Sequence, residues 1–519
     1  MAKTVFGGMV RSGMARRLWA AGAMAMALAL TPGAAWSQQA IAVPGPQSIS
    51  ETDKQTGAKA DPQMSAEYGG AYAGPQAALV KRVGIRVAGQ SGIAAVDRDF
   101  SFKLLNSPVP NAFAIPGGYV YATRGLVALM NNEAELAFVL GHEAGHIAAH
   151  HSDKRQKVTQ RSVLLGTLGQ AVLGAVLGNG ALGQVGSSLG QAGINRLVVG
   201  SVMSHSRAEE FEADDLGVLY TQKAGYDASA SADILGSLAA QTALDSQSTG
   251  KSRTTPGWAM SHPDPAARVA RARQRAAALA ARGGLRGGDA FLASLDGMLF
   301  GDDPAQGMIE GQAFLYPADR VAFTAPVGYG MNNGADAVTI TPTATGRTGQ
   351  ARFTGGKFDG NLDAFVGKAF AALTQDGAVL SVPTTRTTVG GLDARTATVA
   401  ANDGSGNRLD VTVTAIATAA DTAYAFTVLQ AQGAGQGDLA GLVNSFRRMS
   451  AAEAAAVRPR VLKVVTVARG DTVATMAGRM AYDTLRTERF LVLNGLATGT
   501  TTLAPGRKVK IVVWGAAGK

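Results

Sequence analysis

The chain reads as a multidomain protein: a mainly α domain with a short sheet, then an α+β module, then a small basic C-terminal unit. Three observations point there. At 519 residues the chain exceeds one ordinary domain. Residues 67–282 carry helical patterning, broken by one strand candidate, "NAFAIPGGYVYATRG" at 111–125, whose alternating apolar residues surround a Pro-Gly-Gly turn. From about residue 313 to 449 the composition shifts to Thr, Val, Ala and Gly, with strand-like runs "DAVTITPTA", "LDVTVTAIA" and "TAYAFTVLQ" and helical pieces at 362–373 and 438–446.

The N-terminus reads as a secretory signal over 1–37. A basic region ends in Arg16 and Arg17, an apolar stretch fills 18–30, and Pro32 and Gly33 precede Ala35 and Ser37 at a cleavage site. The apolar run is short for a spanning helix, so no stable membrane span is expected after its removal. Cysteine is absent, which excludes disulfides, thiolate metal ligands and a lipoprotein anchor. Together these predict a periplasmic protein. Four of the positive charges behind the formal +10 lie in residues 1–37, leaving +6 spread along the chain, a poor match to nucleic-acid binding.

The remaining boundaries follow composition. Residues 38–64 are polar and read as a flexible leader; 65–285 form the helical domain; 286–312 read as a linker; 313–450 form the α+β module. "AAEAAAVRPR" then links to the small unit at 461–514. The Gly-punctuated apolar stretch 162–191 reads as two small-residue helices packed on the core, serving either as a cover for the cleft or as scaffold.

Four of the six histidines stand in "HEAGHIAAHH" at 142–151. Residues 136–151 are expected to be helical, with Asn132 and Glu135 as a capping box and Leu136, Val139, Leu140 and Ile147 at helical spacing. His142 and His146 lie one turn apart and can share a metal ion, and so can His146 and His150. The acid selects the first pair. Glu143 follows His142 and can act as general base, whereas Ile147 follows His146. Burial of unpaired His and Glu in an apolar helix would be costly, which argues against an incidental match. A third ligand must be His, Glu or Asp. "SHSRAEEFEADDLG" at 204–217 supplies a second helix capped by Ser206 and Glu209, with Glu210 and Asp214 on one face. One of these acids can bind the metal while the other accepts the outer N–H of a ligand histidine. His150 and His151 are then bystanders, solvated or bonded to the acidic helix, and His205 is a minor candidate.

"HEAGH", then "SRAEEFEAD", then "SHPDPAARVARA", with "NAFAIPGGYVYATRGL" ahead of them, resemble the zinc metallopeptidase family of HtpX and the CAAX prenyl proteases, the M-forty-eight peptidases. The resemblance covers residues 67–282 and implies a zincin-type (gluzincin) fold. It also implies one zinc ion held by His142, His146 and Glu210, with Glu143 as catalytic base and Asp214 supporting a ligand histidine. His262 is implied either to stabilise the transition state or to fill the open zinc position in a resting form. The chain lacks that family's multiple membrane spans and resembles its soluble, exported branch. An extended substrate is expected to lie along Asn111, Ala112, Phe113, Ala114, Ile115, Pro116, Gly117 and Gly118, bound through main-chain hydrogen bonds largely blind to sequence.

Residues 464–513 resemble a LysM domain through Gly470-Asp471-Thr472, Asn494-Gly495-Leu496 and the Pro505-Gly506 turn, with a longer segment between the helices around 482–489. That resemblance implies a β-α-α-β fold and peptidoglycan as a partner. The middle module looks faintly like the sandwich of PsbP and Mog-one-type proteins, which bind proteins. The expected function is an exported zinc endopeptidase acting on unfolded or misassembled envelope proteins. The alternative is a chaperone-like or peptidoglycan-associated assembly factor with a latent peptidase site.

Overall fold

The computed structural model describes residues 44–152, 205–248, 258, 261–263, 265–279, 283–373, 381–402 and 407–517. The expected signal sequence and the Gly-punctuated stretch 162–191 lie outside the described residues. No helix among the described residues is long and apolar enough to cross a membrane.

The described part of the expected leader is structured: Gln47 bonds the Gly92 carbonyl, and the chain is helical from residue 51. Helix α1 (Glu51–Glu67) starts at Ser50, whose side chain accepts from the Asp53 N–H. It buries only Gly57 fully, so it carries no apolar stripe for a sequence reading to find. Gly57 is where the helix crosses the chain below: a Cβ there would lie 2.1 Å from the Pro116 carbonyl oxygen. Asp61 anchors the crossing through Lys103 (2.6 Å) and the Tyr121 hydroxyl (2.8 Å).

Helix α2 (Pro75–Ala88) turns Leu79, Val80, Val83 and Val87 inward. The short α3 (Val96–Asp99) leads to a three-stranded sheet of β1 (Ser101–Leu105), β2 (Ala112–Ile115) and β3 (Tyr119–Thr123) in the order β1-β3-β2. The strand candidate is therefore the β2–β3 hairpin, and β1 beside it is an addition. Gly118 makes the turn: φ is +84°, and a Cβ would fall 1.8 Å from the Asp99 carbonyl oxygen. Helices α4 (Arg124–Leu129) and α5 (Glu133–Ala148) follow, and α5 is buried along almost its whole length. Its cap is part of the expected box: Asn132 accepts from the Glu135 N–H, but the Glu135 carboxylate turns to the Asn131 N–H. Helices α6 (Arg207–Lys223), α7 (Ala230–Ser248) and α8 (Pro265–Leu279) complete the helical part.

The expected linker at 286–312 is structured. It holds α9 (Gly288–Leu295), β4 (Leu299–Phe300), a 3₁₀ turn at Pro304–Gln306 and β5 (Met308–Glu310). Phe291, Leu292 and Leu295, at helical spacing, bury one face of α9. β5 joins β6 (Ala313–Tyr316), β7 (Val321–Thr324) and the late strand β15 (Arg447–Arg448) in a four-stranded antiparallel sheet. Against it packs a seven-stranded antiparallel sheet built from β8 (Tyr329–Asn333), β9 (Val338–Pro342), β10 (Gln350–Lys357), β11 (Thr385–Val389), β12 (Leu392–Asn402), β13 (Arg408–Ala417) and β14 (Thr422–Ala431). Period-two alternation divides its faces. On β14, Tyr424, Phe426 and Val428 face the small sheet, while Ala423 and Ala425 face helix α10 (Leu362–Ala371). Helix α11 (Leu439–Asn444) closes the module, and the expected linker that follows contains a capped helix, α12 (Ala451–Ala456).

The last elements run β16 (Arg460–Thr466), α13 (Val473–Gly478), α14 (Arg486–Leu493) and β17 (Lys508–Trp514), in the expected order. They do not hang free. β16 pairs with β4 as well as with β17, and Leu462, Met476, Phe490, Ile511 and Val512 belong to one continuous core with α2, α5 and α7. Lys510 lies fully buried at this seam, its ammonium donating to the carbonyls of Ala128 (2.7 Å) and Met130 at the end of α4. Burial pulls its pKa downward, opposed by the Glu135 carboxylate. Lys510→Met strands two buried carbonyls, and a loss of about 2–4 kcal/mol in chemical denaturation is expected.

Candidate metal centre

The site forms where α5 and α6 cross antiparallel at close range. Gly141 on α5 faces Gly217 on α6, where a Cβ would lie 3.0 Å from the His142 nitrogen, and Gly145 one turn on faces Ala213 and Leu216. Because no side chain spaces the helices there, the acids of α6 reach the histidines of α5. His142, His146, Glu210 and His262 are all buried and bring one donor atom each to within 4.8 Å of the others.

The spacings test whether a metal fits. His142 Nε2 lies 3.0 Å from His146 Nε2 and 3.4 Å from His262 Nδ1. Glu210 oxygens lie 3.0 and 3.1 Å from His262 Nδ1, 3.5 Å from His146 Nε2 and 3.7 Å from His142 Nε2. Ligand bonds of zinc length in tetrahedral array place donors ~3.3 Å apart, in the middle of these values. The outer nitrogens fix the tautomers. His142 Nδ1 faces Asp214 (3.0 Å), so its proton sits there and Nε2 is bare. His146 Nδ1 lies 2.8 Å from His151 Nδ1, and His151 Nε2 lies 3.2 Å from Glu212. A proton on His151 Nε2 leaves its Nδ1 to accept from His146, whose Nε2 is then bare as well. Two bare nitrogens 3.0 Å apart repel unless a cation sits between them. The donor set fits zinc.

Charge around the cluster is arranged in layers. Arg268, fully buried on α8, binds Asp214 with two donors (2.6 and 2.7 Å) and lies 2.5 Å from Glu210. Burial raises the Glu210 pKa, but His262 and Arg268 outweigh it and hold the carboxyl well below its usual range. Burial, aided by the neighbouring His142 and His262 and opposed by Glu210, pushes His146 far below the ordinary imidazole value. Burial depresses His262 too, but Glu210 and Glu143 together raise it. Glu143 is the exception among the acids. It is wholly buried, neither carboxylate oxygen has a hydrogen-bond partner among the described residues, and burial raises its pKa. His262 Nε2 is 3.5 Å away.

The expected ligands and the two supporting acids therefore converge. Strand β2 sits at the sheet edge beside them, and its Ala112 carbonyl lies 3.2 Å from His262 Nε2. Of the eight residues expected along a substrate, Ala112–Ile115 form strand, while Pro116, Gly117 and Gly118 make the turn beneath α1. Asn111 is buried at the strand's start against Tyr68.

Two expectations change. Helix α5 ends at Ala148, short of 151, because His150 takes a left-handed conformation (φ +53°) and bonds Gln47. That turn folds His151 back onto His146, so His151 makes the expected bond to the acidic helix, at Glu212, and is also a buried partner of the site. His205 also belongs here, its ring 3.7 Å from that of His146. Arg268 went unassigned although its signal was present: it shares the buried stripe of α8 with Ala272 and Ala276, at intervals of four. His151→Ala is expected to lower metal affinity about 10–100-fold in chelator competition, as loss of a partner that orients a ligand histidine does.

Residues 75–276 match the family model of peptidase family M48. A β-barrel assembly-enhancing protease of Yersinia pestis is 33% identical over 185 residues, covering 35% of this chain and 35% of that protein. Its namesake in Escherichia coli K12 is 30% identical over 200 residues, 38% of each. The mitochondrial metalloendopeptidase OMA1 of Schizosaccharomyces pombe is 30% identical over 156 residues, 30% of this chain and 42% of the relative. The chain thus spans between about a third and two fifths of the length of these curated relatives. The residues that match the model of peptidase family M48 thus include all four donors of the buried cluster, His142, His146, Glu210 and His262.

Proposed function

We propose that this chain is an exported zinc-dependent endopeptidase. The observation that carries the reading is the pairing of a buried His142–His146–Glu210 donor set with a carboxylate in the same wall, Glu143, that has no hydrogen bond among the described residues. A zinc ion bound there supplies Lewis acidity, acidifying water and polarising a peptide carbonyl. Glu143 takes the proton of the attacking water and returns it to the leaving amine. Its raised proton affinity suits a group that must hold the proton between those events. Asp214 and His151 keep the ligand imidazoles turned with their bare nitrogens inward. His262 fills the fourth corner, which we read as a resting arrangement. When His262 leaves, it releases the Ala112 carbonyl on the open edge of β2, so one motion frees both the corner and a main-chain acceptor for an extended substrate.

Main-chain recognition suits unfolded or misassembled chains. The name of two relatives ties proteolysis to β-barrel assembly, and we extend that to propose envelope β-barrel proteins as substrates and the periplasm as location. The terminal β-α-α-β unit, with its core continuous with the peptidase helices, reads as a brace more than as a free glycan tether. The sandwich module is proposed as a protein-docking element. Glu143→Gln tests the whole reading: metal retained and proteolysis lost supports it, and metal retained with proteolysis intact overturns it.

A further inference from the structure

Far along the chain from the metal cluster, a cavity of about 400 Å³ opens beside the start of β16 and the end of β17. Its size falls among small-molecule sites, about 300–1,000 Å³. Four arginines line it, Arg458, Arg460, Arg479 and Arg486, together with Tyr482 and Trp514. Arg460 is fixed in place. It donates to the Ala481 carbonyl (2.8 Å) and Glu310 (2.7 Å), and its guanidinium stands 4.5 Å from the Trp514 ring centre and 5.0 Å from that of Tyr482.

The other three guanidinium groups meet only neutral acceptors in these contacts. Arg458 donates to the Gly515 and Trp514 carbonyls, Arg486 to the Tyr482 carbonyl, and Arg479 to the Met476 sulfur. Among the described residues, Arg460 is the one arginine of the four with an ion pair. Three positive charges thus surround one cavity with Asp483 as the single carboxylate in its lining.

The wall comes from the segment between α13 and α14, where the sequence is longer than the LysM pattern. At its end Leu485 holds a left-handed backbone (φ +53°), a conformation costly to a bulky side chain. The strained turn sets Tyr482, Asp483 and Arg486 around the same opening.

We propose that this cavity binds an oxyanion carried on a ring. Guanidinium forks match the paired oxygens of a carboxylate or phosphate, and Trp514, 40% exposed, offers an aromatic face for the ring. The inference is independent of the peptidase reading, because none of these residues touches the metal cluster.

The test is calorimetric titration of the full chain with glucose 6-phosphate, glucuronate and glucose. Saturable binding of at least one charged sugar, with none by glucose, is expected; preference between the two identifies the oxyanion. The double variant Arg479→Ala/Arg486→Ala changes two exposed side chains, so its melting temperature should hold while affinity falls at least tenfold. Trp514→Ala should weaken the charged sugar but leave inorganic phosphate binding unchanged. No saturable binding by either charged sugar, equal binding by glucose, or undiminished affinity in the folded double variant would overturn the proposal.

Discussion

Glu143→Gln is expected to abolish proteolysis while leaving the metal in place. The side chain ligates nothing in the cluster, so the donor set of His142, His146 and Glu210 survives the exchange. Glutamine keeps the volume and removes the proton acceptor. Loss of a positioned general base costs typically 10²–10⁴ in rate, so kcat should fall about a thousandfold with little change in KM. Stability should move the other way. The native carboxylate is buried without a hydrogen bond among the described residues, and a neutral amide is cheaper to hold there. A raised melting temperature together with lost activity is the signature of strain retained for function. Wild-type rates in this variant would remove Glu143 from the chemistry.

Arg268→Met should produce the largest loss of stability of any single exchange near the site. Asp214 and Glu210 are both buried, and Arg268 is the guanidinium that compensates them. Removing one partner of a buried ionic network costs about 3–5 kcal/mol, because the remaining charges stay desolvated. A bound cation would offset part of the Glu210 penalty, so the shift in denaturant midpoint should be greater after metal removal than before. A change below about 1 kcal/mol in metal-free protein, the level of an exposed ion pair, would show that Arg268 does not hold these acids.

How much of this was legible follows from the physics of each residue. His142, Glu143 and His146 stand at fixed spacing on one helix, and Glu210 with Asp214 repeats that logic on a second capped helix, so local sequence carries them. His151 depends on one positive φ at His150, a backbone choice that residue types alone do not specify. Helix α1 looked like a leader because it docks through a single glycine and a few half-buried side chains, with a polar remainder. The docking of the terminal unit was hidden for a related reason. Lys510 stands in the middle of an apolar strand, and its ammonium bonds a carbonyl of α4 across the seam, a partner that its own segment does not name. Contacts between distant segments leave no period in either segment.

The most direct measurement is elemental analysis of the purified full-length chain beside cleavage of unfolded casein, for wild type, Glu143→Gln and Glu210→Ala. The account predicts one zinc per chain in wild type and Glu143→Gln, loss of zinc in Glu210→Ala, and cleavage by wild type alone. Wild-type protein without stoichiometric metal, or with stoichiometric zinc and no cleavage under any condition, would contradict it.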